Sequence, residues 1–177
     1  MSGAESGLNE RWTYSFRAVP GAVPRAQLRT TLTYTLIPRL RVGVEVNPRS
    51  GKEKVNPLLN WLAVTEGRKR PAVMFGTSSD RIGTPTGQSF YATVAKDLSQ
   101  ATGLPVAPYV GTAYSTYQDR FLLIGGLNVN FPRNISALTI FDGVHVHPTV
   151  SWSWRRHIFS LILVRGRELG LSYSISF

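Results

Sequence analysis

The last nine residues of the chain alternate between apolar and small polar side chains. The positions between the apolar residues hold only glycine or serine, and the apolar residues themselves are Leu169, Leu171, Tyr173, Ile175 and Phe177. Because successive side chains of a strand point to opposite faces, this pattern predicts a strand with one apolar and one small polar face. A solvated sheet face usually carries Lys, Glu or Thr. The pattern is instead typical of a wall between lipid and a narrow wet lumen.

Similar alternation, broken by short turns such as Asp142-Gly143, runs through most of the chain. It predicts twelve strands, at Arg11–Ala18, Arg25–Ile37, Leu40–Asn47, Leu58–Glu66, Ala72–Ser78, Ser89–Lys96, Val106–Thr116, Arg120–Phe131, Ile135–Phe141, Val144–Trp154, His157–Val164 and Glu168–Phe177. Residues 11–177 are therefore predicted to form one all-β domain, a closed antiparallel up-and-down barrel. We expect about twelve strands, or ten if two weak segments fail. Residues 1–10 are predicted to form a flexible lead.

One segment supports two predictions. Phe90, Val94 and Leu98 are spaced four residues apart, which is a helical period, and Gly103 could end such a helix. The neighbouring segments need antiparallel partners, and this requirement favours a strand over residues 89–97. The sequence alone leaves both possibilities open.

The terminal strand also carries a resemblance to a known class of proteins. A closing strand that alternates and ends in an aromatic residue, here Phe177, resembles that of bacterial outer-membrane β-barrels. The resemblance is to this broad architecture, and it implies a barrel that spans the outer membrane and contacts the lipid bilayer. If Phe177 lies at the periplasmic rim, the two longest connections, residues 48–57 and 79–88, both fall at the opposite end. Long outer loops are typical of such barrels.

The aromatic residues can be placed by the same alternation of strands. The residues expected at periplasmic strand ends, as membrane-interface aromatics, are Trp12, Phe131, Trp152, Trp154 and Phe177. Amphipathic rings prefer this interfacial depth. The sequence therefore predicts an aromatic girdle at one rim of the barrel.

Composition agrees with a barrel but raises one difficulty about its location. Charged residues make up 17% of the 177 residues, below the roughly 25% of ordinary soluble domains, and no apolar run approaches the ~18 residues of a spanning helix. The absence of cysteine excludes disulfides and thiol catalysis. Residues 1–10 lack the apolar core of a secretory signal peptide. An outer-membrane location therefore requires a mature, processed chain or a mis-assigned start.

The net charge of +10 comes mainly from arginine, which supplies sixteen of the 20 basic residues. These residues are spread along the chain, so a nucleic-acid surface is not expected. Several fall on the polar face of their strand together with two histidines, and the resulting candidates for lining the lumen and contacting anions are Arg17, Arg29, Arg41, Arg120, His145 and His147. Two outcomes stay open: a basic lumen that prefers small anions, or arginines that pair with Glu45, Glu66 and Glu168 and plug the barrel.

Candidate chemistry is sparse. His145 and His147 share a strand face, but Asp142 is the only nearby acid, so the sequence predicts no metal site beyond this weak candidate. No Gly-x-Ser-x-Gly motif occurs, and we expect neither an enzyme nor a cofactor. The predicted function is an outer-membrane barrel, either a narrow anion-preferring pore or a structural envelope component in contact with other envelope proteins. The alternative is a soluble, lipocalin-like barrel whose apolar stripes turn inwards around a small apolar ligand.

Overall fold

In a computed structural model, which describes residues 10–51 and 53–177, the chain forms a closed barrel of twelve antiparallel strands. Neighbours in the chain are neighbours in the sheet, and the first strand pairs with the last. The strands are β1 (Trp12–Ala18), β2 (Leu28–Ile37), β3 (Leu40–Val46), β4 (Val55–Val64), β5 (Ala72–Ser79), β6 (Gln88–Ala95), β7 (Val106–Ser115), β8 (Arg120–Phe131), β9 (Ile135–Phe141), β10 (Val146–Trp154), β11 (His157–Val164) and β12 (Glu168–Ser176). The predicted all-β, up-and-down barrel is confirmed.

Two short helices interrupt the connections. The first, α1 (Pro24–Gln27), occupies residues that the sequence assigned to the start of a long strand at Arg25, so that part of the prediction is wrong. Pro24 explains the difference, because proline fits the first turn of a helix, where its missing N–H needs no partner. The second, α2 (Ser99–Thr102), ends at Gly103, which has a positive φ of 72°.

The segment with two possible structures is a strand. Within β6, Phe90 lies opposite Thr77 of β5 and Tyr114 of β7, and the helical alternative over residues 89–97 is therefore wrong. The predicted lead over residues 1–10 lies outside the described residues except for Glu10. The carboxylate of Glu10 pairs with Arg156 at 2.6 Å.

The barrel has two different ends. The connections after β1, β3, β5, β7, β9 and β11 lie at what we call the loop end, and those after β2, β4, β6, β8 and β10 lie at the turn end. Phe177 is at the turn end, where its N–H and C=O both bond to Trp12. Arg133 and Asn134 both have positive φ, as in the type I′ turns that suit tight hairpins.

Most of the large apolar side chains lie on the outside of the barrel. Phe121, Leu123 and Leu171 are 72%, 66% and 63% exposed, whereas most of the buried apolar residues are alanines. A compact apolar cluster, formed by Val19, Ala22, Ala26 and Val164, occurs only locally, at the loop end, among the described residues. Within residues 10–51 and 53–177, no helix is long and apolar enough to cross a membrane.

Candidate functional site: the barrel lumen

The wall of the lumen has two chemically different halves. Strands β10, β11, β12 and β1 present serines inwards, and these bond to one another across strands, Ser15 to Ser174 and Ser151 to Ser160, each at 2.8 Å. This half matches the predicted small polar lumen. The opposite half, on β4, β5, β8 and β9, does not match it. There the inward positions include Leu62, Met74, Ile124, Leu138 and Ile140.

The loop end is closed around Arg25. Helix α1 folds into the mouth of the barrel and places the guanidinium of Arg25 against the connection between β5 and β6. It donates hydrogen bonds to the backbone carbonyls of Thr84 (2.9 Å), Asp80 (2.8 Å) and Arg81 (2.7 Å), and to the Thr84 hydroxyl (2.9 Å). Burial lowers the pKa of Arg25 from its usual value, while the carboxylates of Glu45 and Asp80 oppose that shift.

Glu45 is a second buried acid at the loop end, in addition to Asp80. Glu45 has no exposed surface, forms an ion pair with Arg29 at 2.5 Å, and accepts hydrogen bonds from the Asn47 amide at 2.8 Å and from the Ser79 hydroxyl. Arg17 lies opposite Arg29 in the pairing of β1 with β2, so a second arginine lies next to the ion pair of Arg29 and Glu45. Buried charges of this kind are retained when they are paired and hydrogen-bonded.

The buried polar residues Arg25, Glu45, Asp80, Thr84 and Ser115 form what we call the buried layer at the loop end. Thr84 and Val164 have no exposed surface, and Ser115 is 1% exposed. The Ser115 hydroxyl donates to Asp80, which also accepts from the backbone N–H of Arg81 at 2.7 Å. Side chains that line a water-filled channel would remain exposed to solvent. Of the three acids in the predicted plug, Glu45 pairs with Arg29 and Glu168 lies 3.8 Å from Arg165, whereas Glu66 pairs with Lys96.

Asp142 and His147 link the β9–β10 connection to the β11–β12 connection at the loop end, and we call this pair the tether. Their Oδ2 and Nε2 atoms are 2.9 Å apart, and the backbone N–H of Arg165 donates to Nδ1 of His147 at 3.3 Å. Because Nδ1 accepts an N–H, we assign the proton of the neutral ring to Nε2, which donates it to Asp142. Asp142 also accepts from the N–H groups of Val144 (2.9 Å) and His145 (2.7 Å).

The charge of Asp142 is stabilised by these donors. Burial alone would raise the pKa of its carboxyl group, but the bonds from His147 and from the two backbone N–H groups lower it below its usual value. His145 lies outside β10 and its ring is 6.5 Å from that of His147, centroid to centroid. Among the described residues, no three acidic or histidine side chains are grouped to hold a metal ion.

We expect the tether to stabilise the barrel only while Asp142 is ionised. Since its folded pKa is depressed, its contribution is fully present above the unfolded pKa of about 3.9 and is lost as pH falls through the folded pKa. Asp142→Asn should lower the free energy of unfolding by about 1 kcal/mol at pH 7, and by progressively less as the pH falls below the unfolded pKa of about 3.9. Urea unfolding in detergent over a series of pH values measures this. A difference between the two proteins that does not change with pH would contradict it.

A cavity of about 660 Å³ occupies the other part of the lumen and reaches the turn end. Its lining runs from the exposed turn residues Pro38 and Arg39 down the apolar half of the wall. Arg41 lines it two residues from that turn, with its Nε 3.4 Å from the Thr35 hydroxyl. We call this cavity the cup; it reaches the turn end, and the buried residues around Arg25 lie at the loop end.

Two inward-facing glycines keep this cup open. A Cβ at Gly76 would overlap the ring and hydroxyl of Tyr91, and one at Gly126 would lie 2.5 Å from Cε1 of Tyr109. Each tyrosine ring therefore lies flat against the strand backbone instead of projecting towards the barrel axis. Glycine within a strand often marks such a close approach. The Tyr91 hydroxyl is held by the Asn60 amide oxygen.

The structure brings together only some of the predicted lumen residues. Arg17 lies opposite Arg29, which pairs with Glu45, while Arg41 lines the cavity and His147 is buried at the loop end. Arg120, in contrast, is exposed at the start of β8, where it donates to Gln118 at 3.4 Å. All five predicted interface aromatics are exposed on the outer face at the turn end, namely Trp12, Phe131, Trp152, Trp154 and Phe177.

Sequence reasoning missed the two residues that close the loop end, Arg25 and Asp80. No local pattern could have paired Arg25 with carbonyls 55 to 59 residues further along the chain. Pro24 could have indicated the helical turn that carries it. The apolar half of the lumen had a signal in runs such as 122–124, where both faces of the strand are apolar.

No protein-family model matches this chain, and no curated protein matches it significantly.

Proposed function

We propose that this protein is a transmembrane β-barrel of the bacterial outer membrane, closed at one end and acting as a structural component of the envelope. The observation that carries the proposal is the position of the large apolar side chains on the outer face. Val150, Leu161 and Leu171, which neighbour one another across β10, β11 and β12, are 52%, 48% and 63% exposed. In water, so extensive an apolar surface would drive aggregation, whereas lipid solvates it.

The strand lengths, the strand number and the exposed aromatic residues also support a membrane environment. Six of the twelve strands have nine residues or more, and a tilted strand needs about 9–11 residues to cross a bilayer. The strand number is even, as in bacterial single-chain barrels. The exposed aromatics at the turn end suit an interface with lipid headgroups, where amphipathic rings are enriched.

The lumen favours a closed barrel over an anion-preferring pore. Arg29 points inwards but pairs with Glu45, Arg17 lies opposite Arg29, and Arg25 donates to three backbone carbonyl groups. An anion that crossed the barrel would have to displace this buried layer. We therefore expect the resting protein to pass no steady current.

Membrane insertion is tested by refolding the chain into phosphatidylcholine vesicles and floating them on a density gradient. We expect the protein to float with the vesicles and to migrate faster on gels when it is not boiled. In planar bilayers the inserted protein should pass no current. A folded protein that stays in the aqueous fraction would support the soluble lipocalin-like barrel. A steady anion-selective current would support the pore.

The soluble alternative retains one supporting observation, the cavity at the turn end. It requires a surface that water tolerates, and the exposed leucines and aromatics on β8, β10 and β11 weigh against that requirement. The flotation experiment separates the two proposals directly.

A further inference from the structure

We infer that the turn-end cavity binds one long aliphatic chain that carries a monoanionic head group, as in a fatty acid. The inference uses the closed barrel of the proposed function, but it concerns the inside of the barrel and not its surroundings. It assigns the cavity a ligand where the proposed function assigns none.

The size and lining of the cavity fit a flexible apolar chain. Its volume of about 660 Å³ lies within the range of roughly 300–1,000 Å³ that is usual for small-molecule sites. Ile124, Leu138 and Ile140 line its deeper part, and Leu62 and Met74 line it nearer the turn end. Methionine adapts its shape to irregular ligands, which suits a chain of variable bending.

The cavity is preformed for such a chain. Tyr91 and Tyr109 are packed flat on Gly76 and Gly126, so neither ring has to move before a ligand enters. A preorganised apolar cavity binds without an ordering cost in the protein. The loop-end layer around Arg25 closes the far end, so a ligand enters and leaves at the turn end.

The charge at the open end selects the head group. Arg41 lines the cavity close to the turn and Arg39 lies on its rim, with the amide of Asn128 also in the lining. None of the described lining residues is acidic. A head group with one negative charge would meet a guanidinium while its chain meets Leu and Ile, whereas a small inorganic anion would leave the apolar lining unused and lose its own hydration.

The alternation of the strands makes this inference testable at single-residue resolution. Along β9, Leu138 and Ile140 face the cavity, whereas Thr139 and Phe141 face outwards. A palmitic acid with a photoreactive diazirine near the end of its chain would label the first pair from inside the barrel. The same probe dissolved in surrounding lipid would label the second pair.

We would add this probe to protein reconstituted in phosphatidylcholine vesicles, irradiate it and locate the labels by mass spectrometry. We expect labels on Leu138, Ile140 and Ile124. Ile140→Trp, which fills the cavity, should abolish them, and Thr139→Trp, the matched change on the outer face, should not. Ile124→Trp provides a second blocking variant if Ile140→Trp does not fold, as judged by heat-modifiable gel mobility.

The head group is tested with Arg41→Gln and with the matching diazirine alcohol. Arg41→Gln should reduce inward labelling by the acid roughly tenfold, the change expected for one charge-assisted contact, and leave labelling by the alcohol unchanged. Equal effects on acid and alcohol would overturn the anionic assignment. Labels confined to outward residues, in protein that floats with vesicles, would overturn the site while leaving membrane insertion intact. Failure to float would count against the proposed function instead.

Discussion

Arg25→Met should lower the free energy of unfolding by about 3–5 kcal/mol and let ions through the barrel. The substitution keeps most of the length of the side chain but removes the guanidinium from three backbone carbonyls, and a buried network that loses its charged member is strongly destabilised. Urea unfolding in detergent measures the first effect and planar-bilayer recording the second. Membrane current should appear because the occluding connections lose the group that holds them.

The matched control is Arg120→Met at the same end of the barrel. Arg120 is exposed and makes one long hydrogen bond, to Gln118, so its removal should cost less than about 1 kcal/mol and leave the bilayer silent. If both variants were equally stable and equally silent, Arg25 would have no part in closing the barrel.

Leu161→Arg should cost about 2–4 kcal/mol when the protein is unfolded from a bilayer, because the guanidinium would lie on the outer face near mid-membrane. Leu161 is in the middle of β11, 48% exposed, and its neighbours Val150 and Leu171 are apolar. Ile135→Arg is the matched change on the same face, at the first residue of β9 and close to the turn end. Near the interface it should cost only about 0–1 kcal/mol.

This pair of variants tests the environment by depth. Denaturant titration of protein in vesicles, followed by tryptophan fluorescence, gives both values. A soluble barrel would tolerate arginine equally at the two positions, since both would be in contact with water. Equal costs would therefore reject the membrane proposal.

The barrel could be predicted from the sequence because apolar and polar side chains alternate regularly along most of its strands. In β12, Leu171, Tyr173 and Ile175 face outwards and alternate with small residues, and β8, β9 and β11 begin and end where the pattern predicts. A strand with one lipid-facing side records its orientation in every second residue. Local sequence was sufficient for those elements.

The contents of the lumen could not be predicted in the same way. Arg25 and the carbonyls that it binds are brought together by two connections, and alternation gives no information about how connections fold. The periodic pattern also placed Arg120 on the lumen face but could not show that this strand end is exposed. In β8 and β9, apolar residues occur on both faces of the strand. Alternation therefore could not distinguish the apolar residues that face the lumen from those on the outer face.

Closure of the sheet between its first and last strands constrains how the chain is assembled. Thr13 lies opposite Ser176, and Trp12 and Phe177 exchange two backbone hydrogen bonds, so the seam joins the two extremes of the barrel sequence. Until the final strand is made, every intermediate has two open edges with unpaired backbone groups, which are prone to pair with other chains. Contacts at such sequence separation also form slowly. The barrel therefore closes only after β12 has been synthesised, and its precursor has to be kept from aggregation until the seam forms.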